Sequence, residues 1–282
     1  MPGAGTLPRE KLPRHPGLLR ILAMKLKYGA LALVLTIGTA ATAEVRHPLE
    51  VLDRPLTLPG GQGTAEARLI IQHRNFDDNY EDAKGMVLQG GYGLTDSIDA
   101  RLFYGFCLED NFDGGGSSDS CKIGKGVLGA ELGFSLLDNE TTDFALAPSF
   151  NINVDMPDNY RSALGVRFRH KLSKHGALYA DGPVLVTEAF GETTTMMAYQ
   201  FGLPIGFGAQ LTPKFFAGVQ TVLFSVTKIE GLDAEESVIF KNGFPILLTA
   251  NYAVSPSFEI ALQLDEPSSI GSLTSIFFRG YF

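Results

Sequence analysis

From about residue 64 to its last residue, the chain is a succession of segments of roughly ten residues in which apolar side chains alternate with small, polar or charged ones. Successive side chains of a strand point to opposite faces, so a period of two predicts strands. The clearest segment sets Met197, Tyr199, Phe201, Leu203, Ile205, Phe207, Ala209 and Leu211 on one face, against Ala198, Gln200, Gly202, Pro204, Gly206, Gly208 and Gln210 on the other. Likewise Phe144, Leu146, Pro148, Phe150, Ile152 and Val154 oppose Ala145, Ala147, Ser149, Asn151, Asn153 and Asp155, and Phe258, Ile260, Leu262 and Leu264 oppose Glu259, Ala261 and Gln263.

A soluble sandwich alternates too, but its polar face meets water and its apolar face needs a second sheet to cover it. Here the minor face is crowded with Gly and Ala beside Gln, Asn and charge, which suits an enclosed barrel interior. The connections alternate as well. Short ones at Thr95 to Ser97, Leu137 to Thr142, Leu172 to His175, Leu211 to Lys214 and Val254 to Ser257 take turns with longer, acidic ones. The long set is Asn75 to Lys84, Glu109 to Ile123, Met156 to Tyr160, Phe190 to Thr195, Lys228 to Asn242 and Asp265 to Gly271. The expected fold is therefore all-β: a transmembrane antiparallel up-and-down β-barrel of about twelve strands over 64–282, with both termini on the short-turn side. Composition agrees. A mean hydropathy of +0.09 is too low for a helical membrane protein, while 10% aromatic against only 19% charged residues argues against disorder.

Residues 1–43 read as separate from this fold. Lys25 and Lys27 precede an apolar run from Tyr28 to Ile37 that ends in Ala41-Thr42-Ala43, the layout of a secretory signal peptide over 24–43. Residues 1–23 look like an over-long start, with translation beginning at Met24. Residues 1–43 hold six basic residues and one acidic, so of 23 Lys and Arg and 31 Asp and Glu the rest keeps 17 against 30, a net charge of −13. So acidic a chain is a poor partner for nucleic acid. Cys107 and Cys121 flank a Gly/Ser/Asp-rich loop in an exported chain and are expected to form a disulfide. No metal or cofactor motif is present. Residues 44–63, with Pro55 and Pro59, read as an extended periplasmic lead-in or, alternatively, a short inward plug.

The chain ends Leu273-Thr274-Ser275-Ile276-Phe277-Phe278-Arg279-Gly280-Tyr281-Phe282. This resembles the closing strand of bacterial outer-membrane proteins, which ends in Phe with apolar residues at alternate positions before it. Ile276, Phe278 and Phe282 match, and Gly280 departs, standing where a bulky residue is usual. The resemblance implies recognition by the barrel assembly machinery and a home in outer-membrane lipid and lipopolysaccharide.

The inward face then carries Glu66, Arg68, Asp99, Arg101, Glu131, Arg161, Arg167, Arg169, Asp181, Glu259 and Arg279 as lumen-lining candidates, with Arg167 and Asp181 expected to pair across neighbouring strands. These predict a passive pore for small polar solutes, anions among them; a plugged barrel with a structural, adhesion or assembly role is the alternative. A hydrolase at the outer rim is a third class. There only His73 qualifies among the five histidines, and no catalytic residue set emerges from the sequence.

Overall fold

The computed structural model describes residues 48–76, 79–113, 126–154, 156, 158–190, 196–230, 238–240, 245–266 and 271–282. The signal peptide, the start of translation and Cys121 lie outside them. One turn of 3-10 helix, Val51–Asp53, precedes thirteen strand segments. They are β1 (Gly63–Phe76), β2 (Asn79–Thr95), β3 (Ile98–Asp113), β4 (Val127–Asp138), β5 (Thr142–Asn153), β6 (Tyr160–Ser173) and β7 (Gly176–Phe190). After these come β8 (Met196–Thr212), β9 (Phe215–Glu230), β10 (Val238–Phe240), β11 (Ile246–Ser255), β12 (Phe258–Glu266) and β13 (Gly271–Tyr281). β10 and β11 both pair with β9 and share one position in the wall, so the barrel has twelve staves.

Every strand pairs antiparallel with its neighbours, and β13 returns to β1 from Thr64↔Tyr281 to Arg74↔Gly271. Closure matters because an open edge would leave a row of unpaired backbone groups, which hydrocarbon cannot satisfy. At the seam the Gly63 N–H donates to the Phe282 carbonyl at 2.6 Å, and the Phe282 N–H donates back to the Gly63 carbonyl at 3.0 Å. Both chain ends of the barrel therefore stand with the short turns, the side that faces the periplasm in barrels of this kind.

Two faces separate as the alternation requires. Leu102, Leu132, Phe150, Leu164, Phe201, Ile205, Phe207, Leu248, Ile260 and Phe278 are exposed on the outside, while Glu66, Asp99, Arg167, Arg169 and Glu259 are buried within. An apolar belt of this extent far exceeds the patches that soluble monomers expose, and it is what a lipid-facing surface needs. Gly280 lies on this outward side, in register with Ala65 and Phe258. A Cβ there would come no nearer than 3.9 Å to any other atom, so the departure from the usual bulky residue leaves unused room rather than a structural constraint.

The long connections at 75–84, 109–123 and 228–242 are shorter than the sequence indicated, because the strands run on beyond the apolar belt. β1 and β2 stay paired to Phe76↔Asn79, β3 follows β2 out to Tyr80↔Asp113, and β9 continues to Glu230 with β10 beside it. A ladder is held by backbone groups, which pair as readily between polar residues in water as between apolar ones in lipid, so the hairpins outlast the hydrophobic signal.

Candidate functional site

Residues 48–62 do not trail away from the wall. They cross the lumen at its short-turn end as a strap, and polar groups on several strands hold it. Leu52 packs on Ala177 of β7 and Phe216 of β9 in a small buried cluster. The Val51 N–H donates to Gln210 Oε1 at 2.9 Å, and Arg169 donates to the carbonyls of Val51 at 2.9 Å and Arg54 at 2.5 Å. Arg167 donates to the Leu56 carbonyl at 3.0 Å, and the Leu58 N–H donates to Asp99 Oδ2 at 3.0 Å. Lys171 reaches Asp53 at 3.0 Å. The strap leaves past Gly93 on β2, where a Cβ would stand 1.9 Å from the Pro59 carbonyl oxygen, so only glycine allows that approach.

Above the strap the wall carries two ion-pair networks, which buried charges require. In the first, Glu259 is 1% exposed and meets Arg54 of the strap, Arg279 at 2.7 Å and the Tyr281 hydroxyl at 3.0 Å. Arg279 also donates to Glu66 at 2.5 Å, and Arg68 joins Glu66 at 3.1 Å while stacking over the Phe277 ring at 4.2 Å. In the second, Arg101 pairs with Asp99 at 3.0 Å and stands 3.7 Å from Glu131, and Arg167 pairs with Glu131 and reaches Asp99 at 3.6 Å. Arg169 pairs with Asp143 beside them. Between strap and wall lies a cavity of about 460 Å3.

Of the residues singled out on the inward face, Glu66, Arg68, Arg101, Glu131, Arg167, Arg169, Asp181 and Arg279 line this cavity. Asp99 and Glu259 are buried beneath them, and Arg161 lines a second, smaller cavity toward the other end of the barrel. Arg167 and Asp181 stand in register on neighbouring strands, as expected, and from there the Arg167 guanidinium turns to Glu131 and Asp99 across the curve of the wall. Near Asp181, β7 leaves its ladder with β8, the pairing breaking between Tyr179 and Leu185. Pro183 sits in that gap and has no N–H to give. Gln220 of β9 fills it, accepting from the Asp181 N–H at 3.0 Å and donating to the Asp181 carbonyl at 2.8 Å.

Three participants escaped the sequence reading. Asp143 and Tyr281 extend the odd-numbered inward series of their strands and were legible by parity. Arg54 was not, because the strap has no periodicity that assigns a face.

At the outer rim His73 stands on the outward face, in register with Asp82 of β2 and Ser272 of β13. A nucleophilic serine needs N–H donors aimed at the developing oxyanion, and ladder N–H groups are already engaged by the neighbouring strand.

A closed antiparallel barrel with an apolar exterior and a charged interior belongs to the class of bacterial outer-membrane β-barrels, and this chain is of that class. No protein-family model matches the sequence, and no curated protein does. Among solved structures the fold is similar to the COG4313 outer membrane channel from Pseudomonas putida F1, with a TM-score of 0.54 and 13% identity over 80% of this chain and 97% of that one. The NanC porin aligns over 76% of this chain and 98% of its own, with a TM-score of 0.48 and 8% identity. At such identities the likeness is one of fold.

Proposed function

We propose that the chain is a passive channel for small polar solutes across the outer membrane, narrowed at its periplasmic end by the strap. The observation that carries this is a cavity of about 460 Å3 inside the barrel, whose lining sets charged side chains such as Arg68, Arg101 and Glu131 beside apolar ones such as Leu52, Phe216 and Phe277. Arg54, Arg68, Arg101, Arg167, Arg169 and Arg279 face Glu66, Asp99, Glu131, Asp143 and Glu259 in these networks. One guanidinium exceeds the carboxylates, and this supports a mild preference for anions. The disulfide between Cys107 and Cys121 and delivery by the assembly machinery belong to the same proposal.

A second reading, a sealed barrel with a structural or adhesive role, is favoured by the number of bonds that hold the strap. Planar-bilayer recording separates the two. The channel reading expects discrete openings of small conductance and a reversal potential shifted toward chloride in a potassium chloride gradient. No openings, together with no liposome swelling, would establish the sealed barrel instead.

A further inference from the structure

The ion-pair networks are lopsided in what they show to the lumen. The side chains of Arg68 and Arg279 are 31% and 30% exposed, whereas those of Glu66 and Glu259, the carboxylates that hold them, are 2% and 1% exposed. The acids sit behind the guanidiniums, so a solute in the larger cavity meets the cations first. The count is lopsided too. Arg54, Arg68 and Arg279 share Glu66 and Glu259, while Arg101 and Arg167 balance Asp99 and Glu131, and Arg169 balances Asp143. The surplus positive charge of the networks thus belongs to the cluster that holds Arg68.

Arg68 is the member of that cluster with donors to spare. Its Nε and Nη2 donate to Glu66 Oε1 at 3.4 and 3.1 Å, and among the described residues its Nη1 donates to nothing. The Phe277 ring lies 4.2 Å from the guanidinium and steadies its plane. Gln89 of β2 is in register with Glu66, which makes it the diagonal neighbour of Arg68 on the inward face. Its amide has no partner among the described residues, and both side chains line the larger cavity. Asn251 of β11 and Gln263 of β12, on the staves beyond β13, line it as well. Of the inward carboxylates outside the networks, Asp181 stands on β7, half a turn of the barrel from β1, and Glu188 and Asp265 are not part of this lining.

We infer that Arg68 and Gln89 form a subsite for the carboxylate of a small organic acid, its body lying toward Asn251 and Gln263. The planar edge of a guanidinium matches a carboxylate with two parallel N–H···O bonds, and such charge-assisted bonds are about twice as strong as neutral ones. One carboxylate closes the charge count of the cluster without displacing Glu66, which stays bonded to Arg279. A cation is repelled by the exposed guanidinium, and a neutral solute gains only the amides. The cavity of about 460 Å3 is far larger than an inorganic ion, and the amides that line it reward the polar groups of an organic body. The inference names the solute class for the channel proposed above and rests on that reading for transport, though not for binding.

Calorimetry on the folded barrel in detergent micelles tests it with lactate, nitrate, glycerol and isopropylamine as probes. Lactate is expected to bind about tenfold more tightly than the other three. Arg68→Gln, which leaves Glu66 its bonds to Arg279, is expected to remove that advantage. Gln89→Leu is expected to reduce it about threefold with no charge altered. Lys228→Gln takes one positive charge from the exposed outer end of β9 and is expected to leave it intact. Lactate bound no better than glycerol by the unaltered protein would overturn the inference even if a variant failed to fold. So would nitrate bound as tightly as lactate, the mark of a site for inorganic anions, or a loss in Lys228→Gln as large as in Arg68→Gln, the mark of an unlocalised charge effect. Conductance without preferential lactate binding sinks the subsite and keeps the channel; lactate binding without conductance sinks the channel and keeps the subsite.

Discussion

Deleting residues 48–59 is expected to raise single-channel conductance roughly fivefold, because on the channel reading the strap that crosses the lumen is what narrows it. The deletion removes strap partners from Asp99, Arg167, Arg169 and Glu259. It leaves each of them a partner on the wall: Arg101, Glu131, Asp143 and Arg279 respectively. The truncated barrel is thus expected to fold and insert, which retarded gel mobility after boiling will report. Gly93→Val offers a subtler route to the same end. Its side chain takes the place of the Pro59 carbonyl, so the exit of the strap is displaced and conductance is expected to rise with no residue removed. Unchanged conductance in both variants would show that the constriction lies elsewhere.

Glu259→Gln is expected to lower the unfolding free energy by roughly 3–5 kcal/mol, read as an earlier midpoint in urea titrations of the barrel in lipid vesicles. The side chain keeps its volume, so the loss is not one of packing. It arises because Arg54 and Arg279 both lean on this carboxylate in a place where water is scarce. Lys171→Ala is the contrasting case. Its partner Asp53 is more than half exposed at the rim, and the change is expected to cost at most about 0.5 kcal/mol. Equal effects from the two substitutions would mean that the lumen is far wetter than its burial implies.

The staves were legible because lipid outside and charge inside impose opposite demands on alternate residues. In β8 the period holds from Met197 to Leu211 without a break, and the structure places Phe201, Leu203, Ile205 and Phe207 outside as the pattern requires. Legibility stopped where that contrast stops. The outer ends of β1, β2 and β3 lie beyond the hydrophobic belt and carry no alternation, so they read as loops. The inward charges were found by parity, but their partners were not. Neighbours in register are computable from a hairpin, whereas Arg167 chooses Glu131 two strands away, a choice set by the curvature of the closed wall. The path of the strap depends on the same closure, and Leu52, Arg54 and Leu58 carry no local mark of where they settle.

The residues that receive Arg54 are Glu259 and Tyr281, on β12 and β13. These are made about two hundred residues after the strap. The strap therefore lacks this part of its seat until the final hairpin has arrived. A barrel halted before its last hairpin would still hold the strap through Asp99, Arg167 and Arg169, but with the Arg54 end unfastened.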